Sequence, residues 1–298
     1  MVDSIRPFLG AEVARQLDLL LPSHGNVAEI RLRVGKPMIV KPSNKKMPPI
    51  QGGYCPSPRD IAETMERISR HSFYAYEQEL AMGYLTLPGG HRVGVAGQVA
   101  MEKGVVRAWR HIAGMNIRMA HSIIGCGDKV LPHIISPAGH VHHTMIISPP
   151  ACGKTTLLRD IVRQISNRGT TVGLVDERSE VAGCYQGIPQ NDVGTHTDVI
   201  DGCPKALAMV MLLRAMAPQV IAVDELGGAE DAAAVSTIVH AGVKLLCTAH
   251  GLDMADALAN PALGDIMHRG VFQRFILLGE GNEVVGIYDA AGNCQTAK

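Results

Sequence analysis

Met145-Ile-Ile-Ser-Pro-Pro-Ala-Cys-Gly-Lys-Thr-Thr-Leu-Leu158 is the stretch that decides how this chain reads. An apolar run of buried-strand character passes into a loop of small residues, and Gly-Lys-Thr then opens a segment of helical periodicity. That is the layout of a P-loop. In such a loop the backbone N–H groups and the positive end of the following helix receive phosphates, the lysine reaches the β/γ oxygens, and the hydroxyl coordinates Mg2+. The reading assigns ATP to Ser148, Pro149, Pro150, Ala151, Cys152, Gly153, Lys154, Thr155 and Thr156, with Thr155 also a Mg2+ ligand. Ser148 stands where the general pattern has glycine, and it is small enough to turn there. Cys152 reads as a small residue tolerated in the loop and not as a nucleophile. Lys154 is expected to be an exposed loop side chain whose removal spares the fold.

Working outward, apolar strands at 144–148, 171–176, 220–224 and 244–248 alternate with helical segments at 153–168, 205–217 and 230–241. Such alternation predicts an α/β fold with a parallel sheet covered by helices. Val220-Ile-Ala-Val-Asp-Glu225 matches a Walker B element, a buried strand ending in carboxylates. Asp224 is expected to hold Mg2+ through water and Glu225 to polarise the attacking water. Asp176-Glu-Arg-Ser-Glu180 follows a strand and emerges at the same carboxyl edge, so its carboxylates are expected to reach the nucleotide, with Glu177 preferred as a second catalytic candidate. Thr248-Ala-His250 ends the next strand, where a Thr or a His can hydrogen-bond the γ-phosphate; His250 is the third catalytic candidate. Arg178 and Arg214 are either phosphate contacts or solvated, ion-paired residues. His140, His142 and His143 lack an accompanying carboxylate or thiol at ligand spacing, which disfavours a metal there.

The first part of the chain is α+β. A helix is predicted over 5–21, ended by Pro22, Ser23 and Gly25, then a strand at 28–34 with Arg31 and Arg33 on one face. A loop at 41–58, a helix at 60–70 capped by Ser57 or Asp60, and a hairpin of 83–87 with 91–99 follow. The pattern weakens around 122–137, so the domains are placed at 1–125 and 126–298. Acidic and basic residues balance at 28 each, which argues against a broad nucleic-acid surface. The 7 cysteines show no C-x-x-C spacing and read as reduced thiols. With no secretory signal and no apolar run of about 20 residues, a cytoplasmic protein without a transmembrane segment is expected.

Longer strings carry a more specific likeness. Glu29-Ile-Arg-Leu-Arg-Val-Gly35, Leu87-Pro-Gly-Gly-His-Arg-Val-Gly94, Asn116-Ile-Arg118, the loop, Asp176 to Glu180, Gln190-Asn-Asp-Val-Gly194, Thr197-Asp198 and Cys203-Pro-Lys205 span nearly the whole chain. In these the chain resembles the stage III sporulation protein AA family, the sporulation relative of type II and type IV secretion ATPases. The resemblance implies a RecA-like P-loop ATPase domain preceded by a smaller α+β domain, and a homo-hexamer with ATP sites near subunit boundaries. It makes 176–180 similar to the Asp box of those ATPases and His250 to their His box. The partners it implies are ATP, Mg2+ and membrane proteins of a channel complex, with the chain on the mother-cell side, peripheral to the membrane. His196 departs from the family, in which arginine is commoner at that position; a contact from it to phosphate would be pH-dependent. One of Arg31, Arg33, Arg92 and Arg118 is expected to reach a neighbouring subunit's γ-phosphate. The resulting expectation is an ATP-hydrolysing motor of a secretion-like channel between mother cell and forespore. A nucleic-acid-remodelling ATPase and a nucleotide-gated assembly protein with negligible turnover are the alternatives.

Overall fold

The computed structural model describes residues 2–21, 27–44, 46–69, 76–120, 123–279, 281 and 283–295. Pro22, Ser23, Gly25, Arg70 and Ser122, invoked above at element ends, lie outside the described residues. The chain divides into two compact units, 1–121 and 122–298.

The first unit runs α1 (Val2–Ile5), a 3-10 turn at Arg6–Phe8, α2 (Ala11–Leu20), β1 (Val27–Arg33), β2 (Lys36–Pro42), β3 (Ile50–Gln51), α3 (Pro58–Ser69), α4 (Glu77–Ala81), β4 (Tyr84–Leu87), β5 (His91–Glu102) and β6 (Val105–Arg118). Its strands form an antiparallel sheet in the order β3-β2-β1-β6-β5-β4. Strand periodicity sorts the side chains: Ile30, Leu32, Val93, Met115 and Ile117 are buried on one face. The helix expected over 5–21 is broken. Pro7 sits in the 3-10 turn and Gly10 precedes α2. The Gly10 N–H donates to Thr64 Oγ1 of α3 at 3.0 Å, and a Cβ at Gly10 would meet that oxygen at 3.0 Å. Serine and aspartate cap α3 reciprocally, with Ser57 N–H donating to Asp60 Oδ2 at 2.7 Å and Asp60 N–H to Ser57 Oγ at 3.3 Å. The segment expected to be a loop at 41–58 contains the end of β2 and all of β3.

The second unit runs α5 (Leu131–Ile134), β7 (Thr144–Ser148), α6 (Lys154–Ser166), β8 (Val172–Asp176), β9 (Thr197–Asp201), α7 (Lys205–Met216), β10 (Val220–Val223), α8 (Ala229–His240), β11 (Lys244–His250), α9 (Met254–Ala259), α10 (Pro261–His268), β12 (Arg274–Leu278) and β13 (Val284–Asp289). The sheet order is β13-β12-β7-β11-β10-β8-β9, with β13 antiparallel to β12 and the other pairings parallel. Both faces are covered, so the central strands read as continuous apolar runs. Met145, Ile147, Ile221, Val223, Leu245, Cys247 and Phe275 pack with Leu212, Val235, Ile238 and Ile266 from α7, α8 and α10. Ile146, Ala222, Leu246 and Ile276 turn the other way, onto Leu157, Leu158, Ile161 and Ile165 of α6. Burying a side chain of this kind contributes roughly 1.5–3 kcal/mol. The result is a helix–sheet–helix sandwich whose strands deliver their carboxyl ends to one edge.

Candidate active site

β11 lies between β7 and β10, and that order builds the site. Leaving β7, the chain turns through Ala151, held at φ +60°, and Gly153, at φ +86°, into α6. The left-handed region suits glycine, and a residue with a Cβ sits there at a cost of about 1–2 kcal/mol. Among the described residues, Ala151, Ser179 at φ +52° and Glu225 at φ +57° adopt it in loops at the carboxyl edge.

Hydroxyls and carboxylates link α6, the end of β10 and β11. Thr155 Oγ1 donates to Asp224 Oδ2 at 2.7 Å, and Thr248 Oγ1 donates to Asp224 Oδ1 at 2.5 Å. The Glu225 N–H in turn donates to Thr248 Oγ1 at 2.8 Å. Thr248 is fully buried on β11, one step beyond the Cys247–Val223 pairing, which is where a bracket between the two acidic positions must stand. Burial pushes the Asp224 carboxyl above its ordinary value, opposed by the bonds from Thr248 and Thr155.

Lys154 is the first residue of α6 and only 4% exposed, which corrects the expectation of an exposed loop lysine. A lysine is buried only when it is partnered, and here Nζ lies 3.2 Å from His250 Nδ1, 3.3 Å from His250 Nε2 and 3.4 Å from Glu225 Oε1. His250 Nε2 is itself 2.9 Å from Glu225 Oε1. One neutral tautomer serves both contacts, with Nε2–H donating to the carboxylate and Nδ1 accepting from the ammonium. Arg178 Nη1 meets the other carboxylate oxygen, Glu225 Oε2, at 3.2 Å. Burial works to raise the Glu225 carboxyl, but Lys154, His250 and Arg178 together outweigh it and leave it below its ordinary value.

Other members of the expected set are placed differently. Asp176 turns into its own loop: Oδ1 accepts from the Glu180 N–H at 2.8 Å, and Oδ2 accepts from the Ala182 N–H at 2.8 Å, with the Val181 N–H 3.1 Å from each oxygen. The expectation that this carboxylate reaches the nucleotide is therefore corrected; it is occupied in shaping the loop. Arg159 of α6, 8% exposed, holds the same loop from below, donating to the carbonyls of Val181 at 2.5 Å and Glu180 at 2.7 Å. Sequence reading missed Arg159 because an arginine inside a helical segment carries no signal of where its head group ends. Glu177 is paired with Lys205 Nζ at 3.1 Å, and among the described residues no hydrogen bond or ion pair joins it to Lys154, Asp224 or Glu225. His196 precedes β9 at the amino edge, away from this chain's own carboxyl edge, and its Nδ1 lies 3.0 Å from Thr195 Oγ1. His142 and His143 precede β7 at the same amino edge, the latter accepting from the Leu245 N–H at 3.2 Å. Among the described residues no cluster of three or more His, Cys, Asp or Glu is arranged to hold a metal ion.

In the first unit, Arg31, Arg33, Arg92 and Arg118 share the sheet face opposite the apolar one. Arg92 stands directly across from Arg118 and lies 3.6 Å over the Tyr84 ring. Glu29 is the acid of this face; Arg31 and Lys41 outweigh its burial and hold its carboxyl below the ordinary value. Asn116 Oδ1 and Thr86 Oγ1, on the same face, are buried with no hydrogen-bond partner among the described residues.

Strand order, the loop between β7 and α6, and the carboxylates following β10 together define a RecA-like P-loop fold. The fold is matched by the Legionella pneumophila ATPase DotB, with a TM-score of 0.59 and 16% identity over 90% of this chain and 76% of that one. The pilus retraction motor PilT, solved with bound ADP, gives a TM-score of 0.53 and 15% identity over 91% and 80% of the two chains. The chain belongs to the family "Sporulation stage III, protein AA", whose profile matches residues 2–295. A Bacillus subtilis relative, stage III sporulation protein AA, is 39% identical over 276 residues, 90% of this chain and 88% of that one. Among the described residues no helix is long and apolar enough to cross a membrane.

Proposed function

We propose that this chain hydrolyses ATP and acts as the motor of a secretion-like channel complex joining mother cell and forespore during endospore formation. The observation that carries the proposal is the convergence of Lys154, Thr155, Asp224 and Glu225 at one carboxyl edge, joined through Thr248 and His250. A pure binding module has no need of a second carboxylate beside the first.

In this reading loop residues 148–156 bind the phosphates, and Lys154 exchanges Glu225 and His250 for phosphate oxygens. Glu225, set free of the lysine, orients the attacking water. The donor set fits Mg2+: Thr155 Oγ1 is a hard oxygen that would bind the cation directly, and the Asp224 carboxylate beside it, 2.7 Å away, would hold it through water. When bound, the cation neutralises charge on the phosphates. The burial that raises Asp224 is the kind of penalty that a divalent cation offsets. The chain is proposed to assemble as a homo-hexamer, peripheral to the membrane and docked on membrane proteins of the complex. One of the first unit's face arginines would serve a neighbour's γ-phosphate.

Phosphate release by the purified chain, with Lys154→Ala and Glu225→Gln beside it, tests the reading. Turnover in the wild type, loss of nucleotide binding in Lys154→Ala, and ATP binding with slow turnover in Glu225→Gln are the expected results. Because Lys154 is buried among partners, Lys154→Ala also lowers stability, so binding is compared at a temperature where that variant is folded. Binding without turnover in the wild type points to a nucleotide-gated assembly protein. Salt-sensitive binding of DNA or RNA points to a nucleic-acid remodeller, against which the balanced charge already weighs.

A further inference from the structure

Arg178 lies in the loop after β8, beside Glu177, yet its guanidinium is bound to an acid from another strand. β8 and β10 are neighbours in the sheet, so the loops leaving their carboxyl ends run side by side. That adjacency brings Arg178 Nη1 to within 3.2 Å of Glu225 Oε2. The two oxygens of Glu225 are thereby served by different partners. Lys154 and His250 take Oε1, and among the described residues Arg178 is the side chain on Oε2.

The consequence depends on what happens when phosphate arrives. Lys154 is the group a phosphate draws away, since its ammonium is the loop's cation and its hold on Glu225, at 3.4 Å, is the longest of the three. A carboxylate then left on His250 alone has one anchored oxygen and remains free to swing about that contact. With a second anchor on Oε2 its plane stays set. A guanidinium suits this task, since its planar fork meets a carboxylate in a defined direction. We propose that Arg178 is a positioning residue for hydrolysis, fixing the second oxygen of Glu225 after Lys154 has moved to the γ-phosphate. The inference rests on the reading of Glu225 as the water-orienting group.

The experiment compares wild type, Arg178→Gln, Arg178→Lys, Glu225→Gln and the Arg178→Gln/Glu225→Gln double variant in the full chain. It measures kcat, KM, and the affinities for ADP and for a non-hydrolysable ATP analogue. Arg178 is 59% exposed, so its substitution is expected to leave the fold intact, which a thermal melt checks. In Arg178→Gln, kcat falls about tenfold, within the up to ~100-fold cost of a misplaced reacting group. KM and both affinities stay within about twofold, since ground-state binding is not what has been removed. Arg178→Lys recovers part of the loss, and the double variant turns over no more slowly than Glu225→Gln, because there is no longer a carboxylate to position. An unchanged kcat, or a raised one marking the pair as a brake, overturns the inference. So does a selective loss of affinity for the ATP analogue over ADP, or losses that multiply in the double variant, both of which assign Arg178 to the phosphate itself. A wild-type chain that releases no phosphate overturns the hydrolysis reading and this inference with it, whereas an active wild type with an indifferent Arg178→Gln overturns the inference alone.

Discussion

Asp176→Asn separates a structural acid from a chemical one. Asp176 is 2% exposed, and its two oxygens accept the N–H groups of Glu180, Val181 and Ala182. Asparagine keeps the size but replaces one acceptor with an NH2 donor, so either amide orientation sets a donor against a backbone donor at 2.8 Å. Burial holds the Asp176 carboxyl above its ordinary value, opposed by the backbone bonds from Val181, Glu180 and Ala182. Leaving a buried donor unsatisfied costs about 1–3 kcal/mol. Taking about 2 kcal/mol, a unit of this size loses about 4–8 °C in Tm. Glu177→Gln is the matched control, since breaking its half-exposed pair with Lys205 costs below about 1 kcal/mol. Differential scanning fluorimetry of both variants without nucleotide makes the comparison. If Asp176→Asn melts with the wild type, or if the two variants fall alike, the assignment of Asp176 to the loop scaffold is wrong.

Relief of the strained loop position is the next expectation: Ala151→Gly removes a left-handed alanine worth about 1–2 kcal/mol and adds up to about 1 kcal/mol of backbone entropy, so the apo protein is equally or slightly more stable. A drop in Tm in that variant contradicts the conformation described. For His143, burial first, and then Lys244 and His142, push the pKa from 6.5 to about 4. The folded value lies below the unfolded one, so this contribution is complete above about pH 6.5 and is lost as pH falls towards about 4, up to about 3 kcal/mol. Urea midpoints at about pH 7 and about pH 4.5 should therefore differ less in His143→Gln than in wild type, and an unchanged difference refutes the assignment. For the face arginines, mixing Lys154→Ala subunits with subunits lacking Arg31, Arg33, Arg92 or Arg118 should restore turnover if one acts in trans, where such a group is worth roughly 10³–10⁵ in rate. Absence of rescue for all of them, with activity strictly proportional to protein concentration, removes that role.

The strands that build the site were legible because they are covered on both faces: β7, β10 and β11 are apolar runs that end in chemistry-bearing residues. β9 escaped notice because an edge strand of the sequence Thr197-Asp-Val-Ile-Asp201 is half-buried and carries no apolar run. β6 was hidden for a related reason, since exposed Arg107, Arg110 and His111 and the small Gly114 interrupt its alternation. Within the site, residue types spoke for Lys154, Thr155, Asp224 and Glu225, but pairings did not. That Arg178 meets Glu225, and that Thr248 brackets Asp224, follows from β11 and β8 flanking β10, and strand order is written in no local pattern. Asp176 and Glu177 are adjacent acids at one strand end. Only backbone geometry sends the first into its loop and the second to Lys205.

The bond from Thr155 to Asp224 also decides where a hydrogen atom sits. Asp224 accepts a hydrogen bond from each of Thr155 and Thr248, and Thr248 in turn accepts from the Glu225 amide, so the hydroxyls are ordered in a single sense. A hydroxyl whose proton is committed to a buried acceptor presents its lone pairs on the opposite side. For Thr155 that side faces away from Asp224, so its electron pairs are aimed before any cation arrives and no rotor has to be frozen on binding. Loop and sheet thus share one polarity of donation, in which the acid at the end of β10 orients a ligand atom on α6.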